Sequence, residues 1–88
     1  MNVKFKKIFL KDLNKIPEGT RTQIQQLIFV YIPETNKFVE LKNIKKIKGY
    51  DTYYRLRVGN YRIGFEYDNN VIIFFRALHR KNIYKYFP

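Results

Sequence analysis

Residues 52–67 read TYYRLRVGNYRIGFEY, and this stretch decides the fold. Polar and apolar side chains alternate on both sides of Gly59-Asn60, which is the pattern of two β-strands joined by a tight turn. Glycine readily adopts the positive φ of a type II′ turn, so we expect a connection of only two residues. Such a connection fixes the cross-strand pairs, which are Val58 with Tyr61, Arg57 with Arg62, and Arg55 with Gly64.

The predicted register separates two faces of the hairpin. The apolar face, expected to cover the core, carries Tyr54, Leu56, Val58, Tyr61, Ile63, Phe65 and Tyr67. The opposite face concentrates Arg55, Arg57 and Arg62, although like charges directly opposite each other destabilise a sheet by roughly a few tenths of a kcal/mol. Its acid, Glu66, pairs with Tyr53 and lies too far away to neutralise them. Since a guanidinium fork holds two phosphate oxygens and stays charged, this face is predicted to receive an anion.

Upstream of the hairpin, the periodicity predicts a strand and then a helix. Residues 2–6 alternate between apolar and basic side chains, which indicates a short first strand. Phe9, Leu13 and Ile16 follow at the i, i+4 and i+7 positions of a one-sided helix. Pro17 should end this helix, because proline cannot continue the helical hydrogen-bond ladder.

A second helix is predicted between this proline and Pro33. Thr20 is its expected N-cap, since the hydroxyl can accept a hydrogen bond from a free amide of the first turn. One apolar stripe should face the core, made of Ile24, Leu27, Ile28 and Tyr31. The residue before a proline is disfavoured in the helical region, so the helix should end ahead of Pro33.

Residues 34–49 have the least regular pattern. Apolar side chains recur every three residues with lysines crowded between them, which predicts a loop with a short helical turn. Two interpretations of the lysines stay open. They form a solvated basic connection, or they form a rim that follows phosphates, for which the candidates are Lys45, Lys46 and Lys48.

The last strand is predicted over residues 71–78, which are apolar on both faces as in a central strand. A three-residue loop, 68–70, would place Arg76 and Arg80 on the arginine face, whereas a two-residue turn would send Arg76 toward the core. Because a bare buried arginine is costly, we expect the three-residue loop. Residues 77–88 then emerge beside the same face and alternate between basic and aromatic side chains.

The chain has the size and charge of one small basic domain. Its 88 residues, 45% of them hydrophobic, are enough for one core, so residues 1–88 are predicted to form a single domain. Eighteen Lys and Arg against seven Asp and Glu give a net charge of +11. Residues 1–40 carry seven basic and four acidic side chains, and residues 41–88 carry eleven and three. We therefore expect a polyanionic partner that binds mainly the second half.

Several classes of function are disfavoured by composition. The longest apolar run has six residues, far short of the roughly 18 that span a bilayer, so we expect no membrane association and a cytoplasmic protein. There is no cysteine, which excludes disulfides and thiol nucleophiles. One histidine and seven scattered carboxylates show no metal-ligand spacing, so no cofactor is expected.

The sequence resembles the RelE/ParE toxin superfamily, and within it the RelE-like branch of mRNA interferases. The matching stretches are residues 12–17, 48–50, 53–64 and 78–84, so the resemblance covers essentially the whole chain. It implies an α+β fold in which two N-terminal helices pack on a small, mainly antiparallel twisted sheet.

The resemblance also implies a function. Members of this branch are toxins of bacterial and archaeal type II toxin–antitoxin systems, and they act as ribosome-dependent endoribonucleases that cleave mRNA in the A site. The implied partners are mRNA, the ribosome and a RelB-like antitoxin that wraps the toxin. Contact with operator DNA is expected only through the toxin–antitoxin complex.

Site residues carry over from the resemblance by position. The implied catalytic residues are Arg55, Arg57, Arg62, Arg80 and Tyr86, and Tyr84 takes the place of Tyr86 if the alignment slips by two. Arg55 and Arg57 stand where the family often has lysines. Since arginine does not readily give up a proton, a general-base role for residue 55 is doubtful. The candidates for RNA binding are Lys45, Lys46, Lys48, Tyr53, Arg76, His79, Lys81 and Tyr84.

The chemistry expected at such a site is attack by the RNA's own 2′-hydroxyl, without a metal ion. Arginines would neutralise the charge that builds on phosphorus, and tyrosines would stack on splayed bases. Two alternatives stay open from sequence alone. One is a ParE-like toxin that is not a nuclease and inhibits DNA gyrase; the other is a degenerate toxin that only binds its antitoxin.

Overall fold

The protein has an α+β fold in the computed structural model, which describes residues 1–36, 38 and 41–88. The strands are β1 (Asn2–Phe5), β2 (Ile44–Lys46), β3 (Tyr53–Val58), β4 (Tyr61–Asp68) and β5 (Val71–His79). The helices are α1 (Lys7–Asn14), α2 (Glu18–Gln26), α3 (Ile32–Glu34) and α4 (Ile83–Tyr86), and a π-helical segment, Leu27–Tyr31, joins α2 to α3. Within the described ranges the strands form one sheet in the order β1-β5-β4-β3-β2, where β1 and β5 pair in parallel and the other neighbours antiparallel. The predicted architecture is confirmed.

The central hairpin has the register that the sequence predicts. Gly59 has a φ of 57°, and the two residues Gly59-Asn60 connect β3 to β4. The predicted pairs are all present: Val58 with Tyr61, Arg57 with Arg62, Arg55 with Gly64, and Tyr53 with Glu66. The arginine face and the apolar face are therefore both confirmed.

The core lies between the apolar face of the sheet and the N-terminal helices. Helices α1 and α2 contribute Phe9, Leu13 and Ile24, each buried, and the sheet contributes Leu56, Ile63, Phe65, Ile72, Phe74 and Ala77. Burying a large aliphatic or aromatic side chain stabilises the fold by about 1.5–3 kcal/mol. This packing makes the hairpin rigid and leaves its arginine face outward.

The second helix differs from its prediction at both ends. It begins at Glu18, where Pro17 precedes it with no side-chain cap and accepts the first helical hydrogen bond from Arg21 N at 2.8 Å. The predicted N-cap at Thr20 was therefore wrong. The chain stays helical through Pro33, because α3 starts at Ile32 and a proline in the first turn has no amide hydrogen to leave unpaired.

The π-helical segment also shifts the apolar stripe. Hydrogen bonds in a π-helix join residues five apart, whereas those in an α-helix join residues four apart. The extra residue in the π turn rotates the residues that follow it around the helix axis. Ile28 is buried as predicted, but the stripe continues to Ile32, while Tyr31 is 52% exposed. The placement of Tyr31 on the core face was therefore wrong.

Strand β2 was missed in the predicted loop at residues 34–49. Ile44–Lys46 pairs antiparallel with β3, where Lys45 lies opposite Arg55. A strand of three residues offers too little alternation to be recognised from sequence. Three residues of the predicted loop, 37, 39 and 40, lie outside the described ranges.

The connection between β4 and β5 is a two-residue turn, so the predicted three-residue loop was wrong. Asn69 and Asn70 have φ values of 49° and 64°, which is the geometry of a type I′ turn, and asparagine tolerates positive φ well. A β-bulge then changes the register, since Phe65 pairs with Phe74 while Gly64 pairs with Arg76. The bulge gives β5 an extra residue and returns Arg76 to the register position opposite Gly64.

The guanidinium of Arg76 is not left bare. Its Nε and NH2 groups donate to the two carboxylate oxygens of Asp12 at 2.8 and 3.2 Å, and Ala77 N donates to the same carboxylate at 3.0 Å. Asp12 is only 4% exposed. This ion pair joins α1 to the bulged part of β5. The Asp12 carboxylate also accepts the hydrogen bond of the Ala77 amide, which has no strand partner there.

The C-terminal segment, residues 83–88, crosses the arginine face of the sheet. Ile83 and Phe87 are buried, and the Phe87 ring lies directly on Gly64, where an added Cβ would be 2.4 Å from the ring. The same ring packs beside Tyr53 and Phe75, with centroids 5.5 and 5.6 Å away. Because Gly64 has no side chain, the Phe87 ring can pack directly on it, and this contact holds the C-terminal segment in place.

Gly64→Ala should destabilise the protein, because the new methyl group overlaps the Phe87 ring. We expect a loss of about 1–3 kcal/mol, seen as a melting temperature lowered by about 10 °C. Gly19→Ala is the matched control, since an added Cβ there has no atom within 4 Å; it should be neutral or stabilise by about 0.5 kcal/mol. Adding Phe87→Ala should remove most of the extra cost of Gly64→Ala. Equal melting temperatures for the two single glycine variants would contradict this packing.

Candidate nucleic-acid interface

Three guanidinium groups lie side by side on the hairpin, and we call Arg55, Arg57 and Arg62 the arginine cluster. Arg57 and Arg62 are directly opposite each other, and Arg55 lies one step along the same face. Their described hydrogen-bond partners are neutral: Arg57 donates to Asn43 Oδ1 at 3.4 Å, and Arg62 to the carbonyl oxygens of Gly59 and Tyr61 at 3.0 Å each. Among residues 1–36, 38 and 41–88, the one side-chain ion pair is Arg76 with Asp12. No described carboxylate neutralises the arginine cluster.

The arginine cluster lines an open pocket of about 360 Å³, which we call the cationic pocket. Its described lining residues are Asn43, Ile44, Lys45, Arg55, Arg57, Arg62 and Tyr84. The pKa of Arg62 is below its ordinary value because of burial, and the charges of Arg57, Arg80 and Arg55 lower it further. An anion bound between these side chains would offset their mutual repulsion.

Tyr84 brings a phenol to the arginine cluster. Helix α4 places its ring under the Arg55 guanidinium, 4.5 Å from the ring centre, and leaves the side chain 72% exposed. The pKa of Tyr84 is lowered from its ordinary value of 10.0, first by a hydrogen bond from Arg55 and then by the charges of Arg55, Lys45 and Arg62. The phenol in this pocket therefore gives up its proton more readily than a free tyrosine.

Tyr86, the tyrosine carried over as catalytic, does not lie at the arginine cluster. Residues two apart on a helix point in nearly opposite directions, and Tyr86 accordingly lies beside Arg76, whose guanidinium carbon is 5.2 Å from the ring centre. The geometry brings Tyr84 to the arginines, which is the alternative that a two-residue alignment slip allows.

Arg80 lies close to the arginine cluster, but its neighbour His79 does not. Arg80 lines a larger cavity of about 920 Å³ together with Arg57 and Arg62. His79 pairs with Tyr61, which packs against the core, so its ring lies on the helical side of the sheet. There its Nδ1 accepts a hydrogen bond from Lys81 N at 3.2 Å. His79 is therefore placed away from the arginine cluster.

The other candidates for RNA binding are divided between surfaces. Lys45 faces the cationic pocket, whereas Lys46 lies opposite Tyr54, on the helical side of the sheet. Lys48 and Lys81 are exposed in turns. Tyr53 is half-buried among other aromatic rings, and Arg76 is held by Asp12. Only Lys45 and Tyr84 of this set join the arginine cluster.

Two lining residues of the cationic pocket, Asn43 and Ile44, were not expected, and only Asn43 adds a polar group to it. Asn43 has a φ of 63° and ends the loop before β2, where its side-chain oxygen accepts from Arg57. Asparagine is the non-glycine residue that most readily adopts this backbone. The sequence signal was therefore an asparagine in a loop, which is too common to identify a site.

No group of three or more His, Cys, Asp or Glu side chains within the described ranges could hold a metal ion. None of the described helices is both long enough and apolar enough to pass through a bilayer.

Comparisons with known proteins place this geometry in a family. Residues 3–84 match the family model described as the ParE toxin of type II toxin–antitoxin system, parDE. The chain is 54% identical over 89 residues to toxin RelE3 of Methanocaldococcus jannaschii, with 100% of both chains covered. It is 33% identical over 87 residues to putative toxin RelE1 of the same organism, with 96% of this chain and 94% of the relative covered.

A solved structure gives the same result. The fold matches a chain in the crystal structure of the RelB-RelE antitoxin-toxin complex from Methanococcus jannaschii, with a TM-score of 0.81 and 52% identity over 97% of this chain and 99% of that chain. Together these similarities define a toxin of a type II toxin–antitoxin system. The chain belongs to the RelE/ParE toxin superfamily, and its relatives named here are RelE proteins. The resemblance seen in the sequence is confirmed.

The environment of Tyr84 can be checked by titration. We expect Tyr84 to ionise below its ordinary pKa of 10.0, because the hydrogen bond and the charge of Arg55 stabilise the phenolate. Ultraviolet titration of tyrosinate in the wild type, minus that of Tyr84→Phe, should show a pKa below 10.0, and Arg55→Gln should move it back up. Lys46→Ala, on the helical side of the sheet, is the control and should leave the pKa of Tyr84 unchanged. A pKa of Tyr84 that is the same in the wild type and in Arg55→Gln would contradict the contact.

Proposed function

We propose that this toxin is an endoribonuclease that cleaves mRNA in the ribosomal A site and depends on the ribosome for its substrate. The observation that carries the proposal is the cationic pocket, in which the arginine cluster, Lys45 and Tyr84 converge without a carboxylate in the described lining. Concentrated guanidinium groups are a typical receptor for a phosphodiester. A surface that binds only protein does not require a titratable phenol next to these guanidinium groups.

The proposed reaction is attack of the RNA's own 2′-hydroxyl on the neighbouring phosphorus. The new bond joins the 2′-oxygen to phosphorus, and the bond to the 5′-oxygen of the next nucleotide breaks. The products are a 2′,3′-cyclic phosphate and a 5′-hydroxyl. Negative charge builds on the phosphorane oxygens, and the arginine cluster stabilises it with donors that the hairpin already holds in place. Charge neutralisation is thus assigned to guanidinium groups, and the mechanism needs no metal ion.

Two protons must move in this reaction. Arg55 cannot accept one, since arginine stays protonated at cellular pH. We propose that the Tyr84 phenolate accepts the proton of the 2′-hydroxyl. Arg55 favours the formation of this phenolate. Lys45 lines the same pocket, and its ammonium group is the donor that can return a proton to the departing 5′-oxygen. Tyr84 thereby takes the catalytic role that the resemblance implied for Tyr86.

The proposed partners follow from charge and from the solved relative. That relative is a RelB-RelE antitoxin-toxin complex, and a RelB-like antitoxin is the proposed partner of this chain. A net charge of +11 suits an acidic, partly disordered segment that folds on contact. Contact with operator DNA is assigned to the complex rather than to the toxin alone, and the toxin acts where the ribosomes are, in the cytoplasm.

Inhibition of DNA gyrase is the second candidate function, because the matching family model is described by the ParE toxin. The arginine cluster with Tyr84 favours the nuclease, since a gyrase inhibitor does not cleave a phosphodiester. The two are separated by whether a translated transcript is cut or a gyrase-dependent supercoiling reaction stops.

Arg62→Ala should abolish cutting of a translated mRNA in a reconstituted translation system. Removing one donor to the phosphorane costs about 100-fold or more in rate. Lys45→Ala should also reduce the rate, whereas Lys46→Ala is the matched control, because Lys46 lies on the helical side of the sheet. Primer extension locates the cuts, and Arg62→Ala should keep the wild-type melting temperature. If the wild-type toxin leaves the transcript uncut and arrests gyrase, the nuclease proposal is wrong and the ParE-like function takes its place.

The two C-terminal tyrosines provide a separate test of the proton transfer. Tyr84→Phe should lower the cleavage rate strongly, whereas Tyr86→Phe should leave it near the wild-type value. With Tyr84 as base, the wild-type rate should rise with pH up to the pKa of Tyr84, which lies below 10.0. Tyr84→Phe should lose this rise. If Tyr86→Phe alone loses activity, the assignment reverts to Tyr86.

A further inference from the structure

A second pocket lies at the other end of the C-terminal segment, and the proposed function does not use it. It has a volume of about 530 Å³, and we call it the aromatic pocket after the side chains that the argument uses: Tyr50, Tyr53, Phe75 and Tyr86, with Lys6 and Lys7 at the rim. We propose that the aromatic pocket binds a nucleobase and an adjacent phosphate of single-stranded RNA. This deepens the proposed function and rests on it, because the bound nucleotide belongs to the RNA that the arginine cluster cuts.

The aromatic rings are held in fixed orientations. Tyr53 and Phe75 meet edge to face with centroids 6.0 Å apart, and the buried Phe87 packs against both. Tyr50 leans against Tyr53 with a centroid distance of 5.4 Å, yet it is 47% exposed. Tyr86 is 58% exposed. Rings that are already immobilised by packing lose little entropy when a flat base stacks on them.

The rim of the aromatic pocket is positively charged. The Lys6 ammonium lies 5.1 Å from the centre of the Phe75 ring, so this ring presents its electron-rich face to the pocket. Lys6 and Lys7 are both exposed, and their long side chains can turn toward a phosphate when a base takes the face of Phe75. No acidic side chain is among the described lining residues, and none stands in the first turn of α1, which begins at this rim.

The combination of flat aromatic faces and lysines favours a nucleotide over an acidic protein segment. Carboxylates would satisfy the lysines but leave the ring faces without a matching surface, whereas a base with its phosphate uses both. The distance to the arginine cluster is also suitable. Tyr53 and Arg55 lie two residues apart on the same face of β3, which is about 7 Å along a strand. A nucleotide next to the one at the arginine cluster is therefore within reach of Tyr53, which lines the near side of the aromatic pocket.

The test is equilibrium binding of a fluorescent 2′-O-methyl hexaadenylate to the full-length wild-type toxin. This probe lacks the attacking hydroxyl and is not cut by the proposed reaction. It should bind about 10-fold tighter than an abasic oligomer of the same length and charge, since a base that stacks on an aromatic ring stabilises the complex. Tyr50→Ala should remove this preference and Tyr50→Phe should keep it. Phe29→Ala, which removes an exposed aromatic ring from the helical layer, is the matched control.

Each outcome decides the proposal. Equal binding of the adenylate and abasic probes, or an unchanged preference in Tyr50→Ala, overturns it and leaves charge alone as the cause of binding. Hexaglutamate peptide that binds as tightly as the adenylate also overturns it, in favour of an acidic protein partner. The cleavage assay with Arg62→Ala is independent of this measurement. Intact transcripts together with base-dependent binding would refute the nuclease and support a nucleotide site; cut transcripts with no base preference would refute this site alone.

Discussion

The two-residue turn at Gly59-Asn60 holds the register on which every other feature of the molecule depends. Side chains alternate along a strand, so a slip of one residue would turn the arginine cluster into the core and the apolar face into solvent. The turn prevents this slip because glycine accepts the positive φ that the tight connection needs. Burial of Leu56, Ile63 and Phe65 against the helices then makes the same register the only stable one. Repulsion between Arg57 and Arg62 is small beside the free energy of that burial.

The C-terminal segment turns a charged sheet face into a structured site. Phe87 rests on Gly64 and keeps the segment across the sheet, so that α4 carries Tyr84 to the arginine cluster and Tyr86 to the aromatic pocket. Asp12 affects the charge of the same face. Its carboxylate pairs with the guanidinium of Arg76 and neutralises it, so Arg76 adds no free positive charge. The result is a concentration of charge at one end of the sheet and of aromatic surface at the other.

The RelE/ParE membership and the proposed nuclease have different physical supports. Membership follows from similarity over nearly the whole chain and from the matching fold. The proposed reaction depends on a few side chains whose positions vary independently of the fold, since one fold can serve several functions. Arginines at positions 55 and 57 make proton transfer by those residues unfavourable, and the proposed reaction therefore uses the neighbouring phenol of Tyr84, whose pKa is lowered.

The sequence by itself determined the hairpin, its register and its two faces, because alternation and turn chemistry are local and each residue there agrees with its neighbours. The same holds for the first helix and for the net charge of +11. Only the tertiary structure decided the course of residues 44–46, the β-bulge before Arg76 and which of Tyr84 and Tyr86 lies at the arginine cluster. These features depend on partners far apart in the chain: a three-residue strand exists only because β3 pairs with it, and Arg76 finds Asp12 across 64 positions. Tyr84 reaches Arg55 because the Phe87 ring packs on Gly64, where no side chain is in the way. The local sequence around Gly64 and around Phe87 does not predict this contact.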